Sequence, residues 1–141
     1  MEKEKRVDPN LLLADIKLES RGKLTVFLGA AAGVGKTFAM LEAARERLNE
    51  GIDVLAGWVE THGRKETEAL MEGLPALPPQ KIEYRDKNFS EMDLDGLLTR
   101  QPQLALVDEL AHTNIPGSRH PRRFQDVEEL LAVGINVYTA H

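Results

Sequence analysis

The chain has no cysteine, so disulfides and thiolate chemistry are excluded, and a reducing cytosol is compatible with that absence. No apolar run approaches the roughly 20 residues that a membrane-spanning helix needs. The uncharged run Leu24 to Gly35 is rich in glycine and alanine. Met1 to Arg6 is charged and no apolar segment follows it, so no signal peptide is predicted. There is no excess of basic residues. The net charge is −5, and bulk electrostatics do not favour nucleic acid or an anionic membrane. Internal repeats and low-complexity segments are also missing.

What remains is ordinary globular composition: 141 residues, 42% hydrophobic and 29% charged, enough for one domain with its own core. Residues 1–7 read as a charged tail, and 8–141 as a single domain. Because the chain stops on an apparent strand, truncation at the C-terminus is expected.

Leu24-Thr25-Val26-Phe27-Leu28 reads as a strand, buried on both faces in the manner of a central parallel strand. It leads into Gly29-Ala30-Ala31-Ala32-Gly33-Val34-Gly35-Lys36-Thr37, and an amphipathic helix, Lys36–Glu50, begins there with Gly51 beyond its end. Strand, small-residue turn and helix ending the turn in Lys-Thr are the layout of a P-loop. Small residues let backbone N–H groups turn inward around a phosphate chain. A lysine adds a point charge, and a hydroxyl reaches Mg²⁺. Gly29, Ala32, Gly33, Val34, Gly35, Lys36, Thr37 and Phe38 are therefore the candidate phosphate-binding positions, with Thr37 a candidate metal ligand. The strict pattern G-x-x-x-x-G-K-[ST] would require glycine at Ala30, and glycine stands one place earlier. A plain strand-to-helix turn would explain the glycines but not Lys36-Thr37.

Elsewhere, Asp8-Pro9 opens a predicted helix to Ser20. Asp53–Glu60 reads as a second strand, parallel to the first through a right-handed βαβ unit. It ends in Glu60-Thr61-His62-Gly63, on the sheet edge where ligands bind in open α/β sheets, which makes Glu60 and His62 candidates. A short helix, Arg64–Glu72, precedes the proline-rich connector Leu74–Pro79. Lys81–Tyr84 reads as a half-polar strand near an edge, Asp86–Phe89 as loop, and Glu91–Arg100 as a helix capped by Ser90 with Leu94, Leu97 and Leu98 inward.

Leu104-Ala105-Leu106-Val107 followed by Asp108-Glu109 is a buried apolar strand ending in two acids. Downstream of a P-loop this is the expected Walker B strand. Asp108 would hold the Mg²⁺ water shell, and Glu109 would orient or deprotonate an attacking water. A buried strand meeting solvent would look similar. Leu110 to Arg123 is a long loop, in which His112, Thr113 and Asn114 are candidates to sense a γ-phosphate. Arg119, Arg122 and Arg123 would pair with phosphate or an acidic partner, or form a solvated basic loop. Phe124–Val133 is a predicted helix with Phe124, Val127 and Leu131 on one face, and Ile135–Ala140 begins a strand. The expected fold is α/β, a mainly parallel-sheet, P-loop NTPase-like three-layer domain with helices on both faces.

Three segments in order carry a resemblance: Gly29–Thr37; Gly57-Trp58-Val59-Glu60-Thr61-His62-Gly63-Arg64; and Val107-Asp108-Glu109-Leu110-Ala111-His112-Thr113-Asn114 with Pro116-Gly117-Ser118-Arg119-His120-Pro121. Over Asp8 to Ala140 the chain resembles the N-terminal cytoplasmic domain of KdpD-type sensor histidine kinases, the osmosensitive potassium sensors of bacteria. Ala30 looks like that family's own form of the P-loop. The resemblance implies ATP and Mg²⁺ as ligands. It also implies a longer inner-membrane protein with a stress-protein-like domain, membrane helices, a phosphoacceptor domain and a kinase core that acts on a response regulator. The partners would be the other domains of that kinase. The response regulator and the membrane would be reached only through parts outside this chain. None of His62, His112, His120 and His141 sits in a phosphoacceptor box, so the implied role is regulatory ATP binding in place of autokinase activity. The alternatives are an active P-loop ATPase or small-molecule kinase using Asp108 and Glu109, and a docking module built on the N-terminal helix and the arginine loop.

Overall fold

The computed structural model describes residues 21–28 and 35–140. The predicted tail, the helix Pro9–Ser20, the turn residues Gly29 to Val34, and His141 lie outside the described residues. Among the described residues the fold is mixed α/β, as the sequence predicts. A parallel sheet is built from β1 (Leu24–Phe27), β2 (Val54–Trp58), β5 (Leu104–Val107) and β6 (Asn136–Ala140). The helices are α1 (Lys36–Asn49), α2 (Lys65–Met71), α3 (Leu94–Arg100) and α4 (Arg123–Ala132). β3 (Gln80–Tyr84) and β4 (Lys87–Glu91) form a separate antiparallel hairpin.

The sheet order is β1-β6-β5-β2. β1 and β2 run parallel through the two strands between them, and they lie at opposite sides of this sheet. β1 is thus not the central strand its apolar run suggests. It pairs on one side with β6, and Leu24 and Val26 are 40% and 42% exposed. The central positions belong to β5 and β6, and every residue of β5 is buried. A short apolar run cannot tell these cases apart, because position in the sheet depends on which distant strand docks beside it. Beyond β2, the proline-rich connector runs alongside. Ala56 N–H donates to Pro75 O at 2.8 Å and Leu77 N–H donates to Ala56 O at 2.9 Å, which occupies the outer edge of that strand.

Alternation along β2 and β5 sends side chains to two cores. Val54, Ala56, Leu104 and Leu106 pack with Met40, Leu41 and Ala44 of α1. Leu55, Ala105 and Val107 pack with Leu94 and Leu97 of α3 and with Val127 and Leu130 of α4. The leucine face predicted for the helix before β5 is therefore the one that packs.

Three local expectations need correction. Asp86–Phe89 is not a loop. Arg85 and Asp86 form a two-residue turn with φ of 52° and 64°, and Lys87 starts β4. The polar sequence Lys87-Asn88-Phe89-Ser90-Glu91 has no apolar face to announce a strand, and the turn lacks the glycine usual in such hairpins. Glu91 consequently closes β4, and α3 is capped by Asp93, whose Oδ1 accepts from Gly96 N–H at 3.0 Å. Ser90 is not the cap. In α4 the buried positions are Arg123, Asp126, Val127 and Leu130, while Phe124 faces outward at 42% exposed. The i, i+3, i+4, i+7 stripe holds as geometry, but two of its members are ionisable and bury because they find partners.

Candidate functional site

All parallel strands end on one side of the sheet, so the residues that follow them converge there. Gly35 precedes α1 with φ of 81°, a left-handed conformation that glycine adopts without strain. It sets Lys36 and Thr37 in the first turn of α1. Glu60, Thr61 and His62 follow β2, Asp108 and Glu109 follow β5, and Ala140 ends β6. Two adjoining hollows result. One, of about 160 Å³, is lined by Gly35, Lys36, Thr37, Phe38, Thr61 and His62 with Arg64 and Thr67. The other, of about 150 Å³, is lined by Lys36, Thr37, Glu60, His62, Asp108, Glu109 and Ala140. Lys36, Thr37 and His62 line both, so the two hollows form one cleft.

Asp108 lies at its floor, 3% exposed. Its Oδ2 accepts from Glu60 N–H at 3.2 Å and from the Thr37 hydroxyl at 3.4 Å, and its Oδ1 accepts from Ala140 N–H at 3.3 Å. Burial pushes its carboxyl above the usual carboxylate range, and these three donors only partly offset that. Thus β2, β5, β6 and α1 all meet at one carboxylate.

Glu109 is held differently. Its backbone is left-handed, with φ of 60°, as is that of His62 at 55°. Such strain in non-glycine residues concentrates at functional sites. Glu109 Oε1 accepts from Trp58 Nε1–H at 3.2 Å and lies 3.7 Å from Arg123 Nη1. Arg123 is fully buried, with its guanidinium 4.6 Å from the centre of the Trp58 ring. It donates to Asp108 O at 3.3 Å and to Glu91 Oε1 at 3.2 Å. Burial pushes its pKa down, and Glu91 and Glu109 oppose that.

The predicted site residues divide. Gly35, Lys36, Thr37, Phe38, Glu60, His62, Asp108 and Glu109 come together in the cleft. Gly29, Ala32, Gly33 and Val34 lie outside the described residues. Asn114 and Arg119 line a separate cavity. Asn114 Nδ2 donates to His120 O and to Asp126, at 2.9 and 3.0 Å, and Arg119 pairs with Asp95 and Glu129. The three arginines of the loop differ, and Arg122 is exposed. Arg119 is ion-paired within the chain and Arg123 is enclosed. His112 Nε2 sits 3.0 Å from the Glu91 carboxylate.

Several cleft features were not read from the sequence. Arg64 and Thr67 line it three residues apart, in register with Thr61 of the segment after β2, and that spacing is a signal the sequence carries. The Trp58–Arg123–Glu109 cluster had none, because its members come from different elements.

Comparison with known proteins identifies the family. Residues 20–141 match the family described as the KdpD osmosensitive K⁺ channel His kinase sensor domain. The sensor protein KdpD of Escherichia coli (strain K12) is 56% identical over 134 residues, 95% of this chain and 15% of that protein. The one from Mycobacterium tuberculosis (strain ATCC 25618 / H37Rv) is 56% identical over 117 residues, 83% of this chain and 14% of that protein. The one from Clostridium acetobutylicum is 48% identical over 138 residues, again 95% and 15%. This chain thus spans about one-seventh of the length of these relatives. With the match running from just before β1 to the end of the sequence, the chain belongs to the KdpD osmosensitive K⁺ channel His kinase sensor domain family.

Proposed function

We propose that this chain is a regulatory, P-loop NTPase-like domain that binds Mg²⁺–ATP within a potassium-responsive sensor histidine kinase. The observation that carries the reading is the meeting of Thr37 Oγ1 and Asp108 Oδ2, 3.4 Å apart, beside Lys36 at the start of a helix. A helix N-terminus, a lysine and a hydroxyl are the parts that receive a phosphate chain. Mg²⁺ fits the remaining chemistry. It takes oxygen ligands, commonly one or two carboxylates with substrate phosphates, and Thr37 and Asp108 would hold it. The buried Asp108 carboxyl, raised by desolvation with no cationic side chain bonded to it among the described residues, suits a site completed by a cation. When bound, the cation would neutralise phosphate charge.

In this reading nucleotide occupancy biases the kinase and phosphatase activities of the longer protein. Contact with the response regulator and with the inner membrane would occur through other parts of it. Calorimetric titration with Mg²⁺–ATP tests the reading. The parent chain is expected to bind, and Lys36→Ala to bind at least tenfold more weakly, because a phosphate charge contact is lost. Equal affinities would refute the assignment.

A second reading, slow hydrolysis with Glu109 as the water-orienting base, draws on the place of Glu109 on the cleft wall. Its carboxylate is already engaged by Trp58 and lies near Arg123, which favours binding over turnover. Phosphate release that disappears in Glu109→Gln while ATP binding persists would establish the second reading over the first.

A further inference from the structure

A cavity of about 330 Å³ lies apart from the cleft, among the β3–β4 hairpin, the start of α3, the loop before α4, and α4 itself. It shares no lining residue with the two hollows around Lys36. Its volume enters the range of small-molecule sites, roughly 300–1,000 Å³. Among the described residues no three His, Asp or Glu side chains are grouped to hold a metal ion.

Several donors on its polar walls are already engaged. Gln80 Nε2 donates to Met92 O at 3.2 Å, and Ser118 Oγ donates to Ile115 O at 2.7 Å. Both hydrogens of the Asn114 amide go to His120 O and Asp126, and the terminal nitrogens of Arg119 go to Asp95 and Glu129. Acceptors are left over. Asn114, on the cavity wall and 7% exposed, has no donor for its Oδ1. A buried acceptor in that state calls for a partner.

Charge points the same way. Glu91, Asp95, Asp126 and Glu129 place four carboxylates at or beside the cavity, against the guanidinium groups of Arg119 and Arg123 and the imidazoles of His112 and His120. Asp126 is buried, and burial outweighs the Asn114 hydrogen bond and the nearby His120 and Arg123 in its titration. Buried Met92 and Leu94 add an apolar wall.

We propose that this cavity binds a small organic cation, an ammonium or guanidinium group on a short alkyl chain, received by Asp126 and Asn114 with Gln80 at the rim. The cationic head donates hydrogen bonds to Asp126 and Asn114 and adds positive charge among the carboxylates, and the alkyl chain lies against Met92 and Leu94. A monovalent metal ion would meet the charge but not the volume or the apolar wall. Water would satisfy Asn114 and leave the excess of carboxylates uncompensated.

The test is calorimetric titration of the chain with 1,4-diaminobutane and with methylguanidinium at constant ionic strength, and with KCl in parallel. Saturable binding of at least one organic cation, without an equal response to K⁺, is expected. Asp126→Asn should weaken it at least tenfold. Gln80→Leu, at a half-buried rim position, should weaken it several-fold, and it carries the test if Asp126→Asn does not fold. Mg²⁺–ATP titrations on the same samples should be unaffected by either variant, so failure of the nucleotide reading would be seen separately. No binding of either cation, an equal response to K⁺, or binding that the folded variants leave unchanged would overturn the proposal. Capture of lysine-containing peptides without capture of free amines would also overturn it, by assigning the cavity to a protein partner.

Discussion

At Asp108, desolvation sets the charge state against the needs of the folded chain. The folded carboxyl titrates above its ordinary value, so the folded state holds a proton more tightly than the unfolded state does. The associated stability is full below the unfolded value of about 3.9 and is lost as pH rises through the raised folded value. Asp108→Asn removes this loss. The melting temperature of the variant relative to the parent should therefore become more favourable from about pH 4 to about pH 7. The variant should also lose stabilisation by Mg²⁺–ATP, and melts at the two pH values with and without nucleotide check both. Trp58 offers a second residue-scale readout. It is the only tryptophan in the chain, and its indole N–H is bonded to Glu109 on the cleft wall. Its emission should change on titration with Mg²⁺–ATP. A flat response under conditions where calorimetry detects binding would contradict nucleotide contact near Glu109.

Among the elements, the junction before β1 has the tightest tolerance. A Cβ built on Gly22 would lie 1.9 Å from Ile135 O, and Gly22 N–H donates to Leu131 O at 2.8 Å. Gly22→Ala should force the end of α4 away from β1 and cost about 1–3 kcal/mol, read as a lower urea midpoint. At the start of α3, Asp93→Ala removes the side-chain cap and should cost about 1 kcal/mol in the same assay. The close approach of Ile135 to Gly22, more than a hundred residues away, leaves no local trace in the sequence. The helix periods and the leucines of α3 were legible. The β3–β4 hairpin and the facing of α4 were not, because neither follows an apolar pattern. Glu91 and Arg123 bury for each other's sake, and pairing between distant residues leaves no local trace.

For the whole molecule, two cores on opposite faces of one sheet make the strand ends a rigid rim. The hydrogen bonds to Asp108 tie β2, β5, β6 and α1 together at that rim, where a ligand would add further contacts. If Mg²⁺–ATP binds only the folded chain, a concentration of about 100 times Kd should add about 2.7 kcal/mol to stability. Denaturation with urea in the presence and absence of nucleotide measures this, and an unchanged midpoint at saturation would contradict binding at the rim. Among the described residues no helix is long and apolar enough to cross a membrane. The chain covers about one-seventh of its relatives' length.

The sequence by itself determined the α/β class, the buried β5 strand ending in Asp108-Glu109, the helix opening on Lys36-Thr37, and the family. Each is carried by contiguous residues, where local period and local chemistry coincide. Only the tertiary structure decided that β1 lies beside β6 at one side of the sheet, and that Thr37, Glu60 and Ala140 converge on one Asp108 carboxylate. It also decided that Asn114 and Arg119 serve a different cavity, and that Arg123 is enclosed against Trp58. The physical reason is that strand order, burial and charge pairing are set by contacts between residues far apart in the chain, which a pattern of neighbours does not encode.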